Sequence, residues 1–265
     1  MAQLLSALPV GSLIKDIGTQ YNNNDLVFQI LEHGHSGDPS GSTAVCTKDI
    51  ICKKAYSSYE YNFKQYDADW KTPVTWRYPY CAIMQWLNAS GNNWYTANSY
   101  DTVTPQYSSE KGFLDNISSK LRTAILTSTR SQNGTSVSRL VHIMSCTELG
   151  FGGSDGSVYS LFSTDTSARV KKIIGTNTAD IYHTRTRGSQ YYGDDYCMYH
   201  INTSGSSAQA STYCSESYGS VPGCGPIVSK GIVPLMCLDS SIMVSDEPIA
   251  DRKSGSAGMP RPISY

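Results

Sequence analysis

The sequence predicts an α+β fold, loop-rich, built from short antiparallel strands with two or three flanking helices. Three observations carry that expectation. Short apolar runs of period two are bounded by Asn, Gly, Ser and Pro, the residues that end strands and start turns. Apolar residues fall at helical spacing in a few places. Long polar stretches separate these elements, which points to an irregular half beside the sheet. At 265 residues and 39% hydrophobic content the chain fills one sizeable core. A single domain is therefore expected over residues 1–250, followed by a flexible tail at 251–265, where DRKSGSAGMPRPISY lacks periodicity.

Taken in order, residues 8–18 and 26–32 read as two strands joined by the turn-forming YNNND, an opening hairpin. The polar loop HGHSGDPSGST (33–43) follows, then a short helix at 49–57. A second helix fits 80–88, with Ile83, Trp86 and Leu87 at helical spacing, and a third fits 110–126, with Phe113, Ile117, Leu121 and Ile125 on one stripe. Residues 137–145 read as a strand, 163–174 as a helix ending at Gly175, and 180–185 and 197–202 as strands. The apolar run GIVPLMCLDSSIMV (231–244) reads as a buried strand. No internal repeat occurs at solenoid or propeller periods.

Charge and cysteine usage exclude several function classes. A formal net charge of −1 gives no basic stripe, so nucleic acid is not expected as a partner. The opening MAQLLSALPVGSLIKDIG has no basic leader, and no stretch reaches the ~20 apolar residues of a membrane helix, so the expectation is a soluble chain made in the cytoplasm, without membrane insertion. The eight cysteines are scattered, without CxxC or a Cys/His cluster at zinc spacing. Most read as small buried residues; a pairing of Cys214 with Cys224 is left open, because sequence does not fix disulfide geometry.

The run SQYYGDDYCMYHINTSGSSAQASTYCSESYGS, residues 189–220, differs from everything around it. Tyr, Ser, Gly and Asp in this proportion give rigid amphipathic contact area and adaptable hydrogen bonding at low entropic cost, the composition of a binding surface. A display segment is accordingly expected near 183–230. Its ligand-binding positions are Tyr191, Tyr192, Asp194, Asp195, Tyr196, Tyr213, Ser215, Ser217 and Tyr218, with Arg185 and Arg187 as rim contacts.

Catalytic and metal chemistry find little support in the same residues. His33 and His35 are spaced to point the same way on a strand, but no Cys, Asp or Glu lies at ligand spacing. Asp194 and Asp195 are too few for calcium, which takes about six to eight oxygen ligands. Ser154 in GGSDGS and Ser217 lack a nucleophile elbow, and no thiol sits beside a basic residue in an activating motif. No metal, no cofactor and no enzymatic activity are expected.

Seven stretches then carry a resemblance: LPVGSLIKDI, VFQILEHGHSGDPSGS, TKDIICKKAY, IMQWLNASGNNWY, EKGFLDNIS, MSCTELGFG and GIVPLMCLDSSIMVSD. Spread over residues 8–246, they resemble a domain of unknown function from phage and prophage tail regions. That domain is similar to the C-type-lectin-like fold of tropism determinants and of the variable proteins of diversity-generating retroelements. The family's aromatic pair, Leu and Arg before the display segment correspond to Tyr182, His183, Thr184 and Arg185, and its Gly-Val-Arg-Pro strand to Gly231, Ile232, Val233 and Pro234, so this chain departs from the pattern at both places. The resemblance implies a tail host-recognition protein on the virion surface, binding a host cell-surface protein or glycan beside other tail proteins. Fibre symmetry adds a homotrimer to that expectation. Two other readings stand beside it: a structural baseplate subunit whose Tyr-rich face is a fixed interface, and an enzyme of the formylglycine-generating type, which needs reactive paired cysteines.

Overall fold

The computed structural model describes residues 2–56, 81–97, 104–132, 135–187, 198–210, 229–245 and 261–264. In chain order the strands are β1 (Ala2–Leu4), β2 (Leu13–Tyr21), β3 (Asn24–His33), β4 (Ser42–Thr47) and β5 (Cys52–Lys54), followed by helix α1 (Ala82–Leu87). Helix α2 (Ser119–Ala124) leads into β6 (Ile125–Leu126), β7 (Ser128–Gln132), β8 (Thr135–Arg139) and β9 (Val141–Ile143). After α3 (Ser160–Thr164) come β10 (Tyr182–Arg187), β11 (Met198–Ile201), β12 (Ala208–Ala210), β13 (Lys230–Ile232), β14 (Pro234–Asp239), β15 (Met243–Ser245) and β16 (Arg261–Ser264).

The expected α+β, C-type-lectin-like architecture is not what these residues build. Strand outweighs helix, 40% to 15%, the strands fall into several sheets, and the three α-helices run only five or six residues. The physical reasons are local. The stripe Phe113, Ile117, Leu121, Ile125 is buried as expected, but the backbone is extended at Ile117 and Ser118, between a 3-10 turn and α2. There Asn116 bonds back to the carbonyls of Gly112 and Phe113, while the Ser118 hydroxyl caps α2 by accepting from the Leu121 N–H at 3.1 Å. The helix expected at 49–57 is instead β5, drawn into a ladder by Lys230–Ile232, a partner remote in sequence. The one expected at 163–174 stops at Thr164; Asp165 caps a separate 3-10 turn, and Lys172 and Ile173 are extended bridges.

A nine-stranded sheet has the order β1-β15-β16-β2-β3-β4-β14-β6, with β9 also paired to β14. The opening hairpin forms as predicted, turning on Asn22 and Asn23 at positive φ, the conformation that Asn tolerates in a two-residue hairpin turn. Strand β2 starts only at Leu13, because Gly11 at φ 86° turns the chain after Pro9. At its centre the sheet is buried on both faces. Phe28, Ile30, Val45, Met236 and Leu238 pack into the cluster containing Trp86 and Phe113, while Leu31, Ala44, Cys46 and Leu235 pack into the cluster containing Phe162 and Tyr182. That two-sided burial explains why β14 reads as a nearly continuous apolar run and why all six residues of β4 are buried, its Ser and Thr included.

The expected C-terminal tail also changes character over its last described residues. Strand β16 runs parallel to β2 and antiparallel to β15, with Ile263 buried in the core. Residues 251–260 lie outside the described residues.

A five-stranded sheet, ordered β12-β11-β10-β13-β5, packs against this body, and β7-β8 forms a separate ribbon. Parallel pairing of β13 with β10 brings Gly231 so close that a Cβ there would lie 2.7 Å from the Ile181 carbonyl oxygen. Only glycine fits that approach without a backbone shift. No described helix is long and apolar enough to cross a membrane.

Candidate functional site

The predicted display positions fall on two connections of the five-stranded sheet. Tyr191, Tyr192, Asp194, Asp195 and Tyr196 belong to 188–197, between β10 and β11; Tyr213, Ser215, Ser217 and Tyr218 belong to 211–228, between β12 and β13. All nine lie outside the described residues, as do Cys197, Cys214 and Cys224. Their anchors are described. Arg187 at the end of β10 is opposite Met198 at the start of β11, and Tyr199 is opposite Ala210 at the end of β12. Residues 188–197 therefore leave and rejoin the sheet at one end, whereas 211–228 leave from that end and rejoin at the other, where β13 starts beside Tyr182 in parallel with β10.

Arg185, expected on the rim, is instead fully buried. Its guanidinium forks onto Glu148, with Nη1 to Oε2 and Nη2 to Oε1 both at 2.6 Å. The remaining donors reach carbonyl oxygens: Nη1 to Ile143 at 2.8 Å, Nε to Ser131 at 3.1 Å and Nη2 to Asp155 at 3.1 Å. All five N–H groups of the side chain are thus used, which is what makes burying an arginine tolerable. Arg187 continues the ladder opposite Met198.

A second arginine completes the network. Arg130 is paired with Asp38, donates to the Tyr159 hydroxyl at 3.0 Å and brings Nε to 3.5 Å from Glu148 Oε1. Among the described residues two guanidinium and two carboxylate groups balance in charge, and they tie together the β3–β4 loop, β7, the β9–α3 loop and β10. Burial by itself would raise the Glu148 carboxyl, but Arg185 and Arg130, with the Ser145 N–H at 2.9 Å, outweigh it and hold the group below its ordinary value. Beside them His142 is pushed down to about 3, first by burial and then by the two arginine charges. Its ring is neutral near pH 7, and Nε2 donates to the Ser128 carbonyl oxygen at 3.0 Å. Gln132 donates to the Arg185 carbonyl, and the Thr184 hydroxyl donates to the Tyr199 carbonyl at 2.8 Å. The strand that carries the candidate segment is fixed at its root from several sides.

Neither histidine of the HGH motif faces a metal-ligand set. His33 bonds to the Thr43 hydroxyl and the Leu8 carbonyl, each at 2.8 Å. His35 places Nδ1 2.6 Å from Glu32 Oε2 and Nε2 3.0 Å from Ser157 Oγ. Among the described residues no group of three or more His, Cys, Asp or Glu is placed to hold a metal ion. The thiols of Cys46, Cys52, Cys81, Cys146 and Cys237 are all pushed up by burial, to about 12 for Cys52, Cys81 and Cys237, the opposite of an activated nucleophile.

Residues 40–240 match a family model described as a domain of unknown function, DUF6273. The chain belongs to the DUF6273 family. The matched span includes Arg130, Glu148, Arg185 and both candidate segments, whereas Glu32, His35 and Asp38 precede it. In this DUF6273 chain the ion network thus joins the family span to the β3–β4 loop just before it. No curated protein and no solved structure matches the chain.

Sequence reading passed over Asp38, Arg130 and Glu148. The available signal was an ionisable residue inside an otherwise apolar or small-residue stretch, as in HIMSCTELGFG. Its significance depends on partners brought together only by the fold.

Proposed function

We propose that this DUF6273 chain is a recognition protein of a phage or prophage tail, whose display segment binds a host cell-surface protein or glycan without chemistry at that face and is diversified by a retroelement. One observation carries the reading: the two Tyr-, Ser- and Asp-rich connections, 188–197 and 211–228, both leave the same end of one sheet, beside a root locked by buried ion pairs, the second rejoining at the start of β13. A fixed base under variable side chains lets the surface change without unfolding the scaffold. Tyrosines act as anchors and Ser, Asp and Gly as adaptable surroundings, with no bond made or broken at this face. Several copies in a tail raise avidity by roughly 10² to 10⁴ over single sites where geometry permits simultaneous engagement.

Sequencing the gene across a natural population tests the diversification. Substitutions are expected to concentrate at Tyr, Ser and Asp codons of 188–197 and 211–228, while Arg185, Glu148 and Gly231 stay fixed. Segments as invariant as the scaffold would remove the retroelement and favour a fixed tail interface. Binding is tested separately: replacing Tyr191, Tyr192, Tyr196 and Tyr218 together with Ala is expected to abolish attachment of the fluorescent protein to host cells and to move the melting temperature by less than about 4 °C. A collapse in stability would place these rings in the core and end the display reading.

A further inference from the structure

Beside the display root, three side chains from two loops and a strand end meet in an order that binding does not require. Ser157 Oγ lies 3.0 Å from His35 Nε2, and the other ring nitrogen of His35, Nδ1, lies 2.6 Å from Glu32 Oε2. The carboxylate accepts from Nδ1, which fixes the tautomer: Nδ1 carries the proton and Nε2 is free to accept from the serine hydroxyl. This is the nucleophile, base and orienting acid arrangement of an acyl-transfer triad, recognised by geometry and roles and not by sequence position.

The surroundings hold each member in place. The imidazole is almost wholly buried and lies against the Tyr159 ring, with centroids 4.2 Å apart. Glu32 Oε2 also accepts the Ser160 N–H at 3.1 Å, so the acid is oriented from two sides. Ser157 itself is exposed, in the loop FGGSDGSVY, but both flanks of it are pinned. The Asp155 carbonyl accepts from the Ser145 hydroxyl at 2.7 Å and from Arg185 at 3.1 Å, and the Tyr159 N–H donates to the Glu148 carbonyl at 3.1 Å. Gly156, at φ 112°, lets the chain pass against Glu148, where a Cβ would lie 3.2 Å from its Cγ. The result is a surface serine on a rigid turn, with a buried base behind it.

We propose that Ser157, His35 and Glu32 form a serine esterase site for short-chain O-acyl groups on a surface ligand, a second activity that goes beyond the recognition function and does not depend on it. Ser157 Oγ attacks the ester carbonyl carbon as its proton passes to His35 Nε2. The tetrahedral intermediate collapses, the carbon–oxygen bond to the alcohol breaks, and His35 returns the proton to the departing alkoxide. Water then attacks the acyl-serine, giving its proton to His35, and collapse releases the carboxylic acid and restores Ser157 with the proton from His35. Glu32 keeps accepting from His35 Nδ1 and stabilises the imidazolium in both steps. An exposed nucleophile beside the half-exposed Val158 suits a small acyl group on a bulky alcohol.

A fluorophosphonate probe and p-nitrophenyl acetate test the site in the full-length chain. The probe is expected to form an adduct mapped by mass spectrometry to Ser157. Ser157→Ala should lose that adduct and lower p-nitrophenyl acetate turnover by about 10²-fold or more, and Glu32→Gln should lower turnover by a comparable factor while leaving Ser157 in place. Because Ser157 is exposed, its alanine variant tests the chemistry without testing the fold; His35→Gln, which alters the Tyr159 packing, is read only alongside its melting curve. No adduct at Ser157, or equal turnover in Ser157→Ala, overturns the proposal. The two functions separate cleanly: Ser157→Ala should still attach to cells, and the four-tyrosine variant should still label.

Discussion

Glu148→Ala is expected to destabilise the protein by about 3–5 kcal/mol, a large share of the roughly 5–15 kcal/mol that holds an ordinary domain folded. The substitution removes both carboxylate oxygens from the Arg185 fork and leaves Arg130 with Asp38 as its one acidic partner among the described residues. Among the described residues, two guanidinium groups would then share one carboxylate in a region where Arg185 and Glu148 are fully or nearly fully buried. The cost is that of an uncompensated buried charge, and it exceeds the net contribution of the pair itself. Replacing Glu148 and Arg185 together with Leu and Met should therefore recover much of the loss, since an apolar pair of similar volume leaves no orphan charge. Urea unfolding of the two variants checks this. A single-variant cost below 1 kcal/mol would mean that the network is open to water and does not fix the root of β10.

What the sequence made legible was burial, more than backbone path. Ile83, Trp86 and Leu87 are buried on α1 as their spacing predicts, and Phe113, Ile117, Leu121 and Ile125 are buried as well, although no continuous helix carries them. Periodicity reports which side chains face the core, and a run of turns can satisfy it as well as a helix can. The pairing of Cys52–Lys54 with Lys230–Ile232 spans most of the chain, and no local propensity announces it. The same limit applied to the sites. His35 was weighed against metal ligands at short sequence spacing, and Ser154 was the serine considered in the Gly-rich loop, whereas the fold joins His35 to Ser157, 122 residues away. Arg185 was read as exposed because it borders the Tyr-rich segment; its acidic partner is 37 residues upstream.

The second large effect is acid lability, and its sign follows from His142 and Glu148. In the folded chain His142 is pushed down from 6.5 to about 3, so between those values the unfolded state takes up a proton that the folded state refuses. Its contribution is fully present above about pH 6.5 and is lost as pH falls toward 3, with an upper limit on the order of 5 kcal/mol. Glu148, held below its ordinary value of 4.5, adds a loss that begins only below that value. Stability should therefore fall in two stages, the first set by the imidazole and the second by the carboxylate. His142→Gln should flatten the curve between pH 6.5 and 4.5 and leave the lower stage intact. The two groups also interact, because Glu148 opposes the arginine charges that depress His142. Removing Glu148 is thus expected to lower the pH at which the folded-state imidazole titrates, and the effects of Glu148→Gln and His142→Gln on the acid limb should not add. Additive curves would show that the histidine titrates without sensing the network, and its depression would then rest on burial alone.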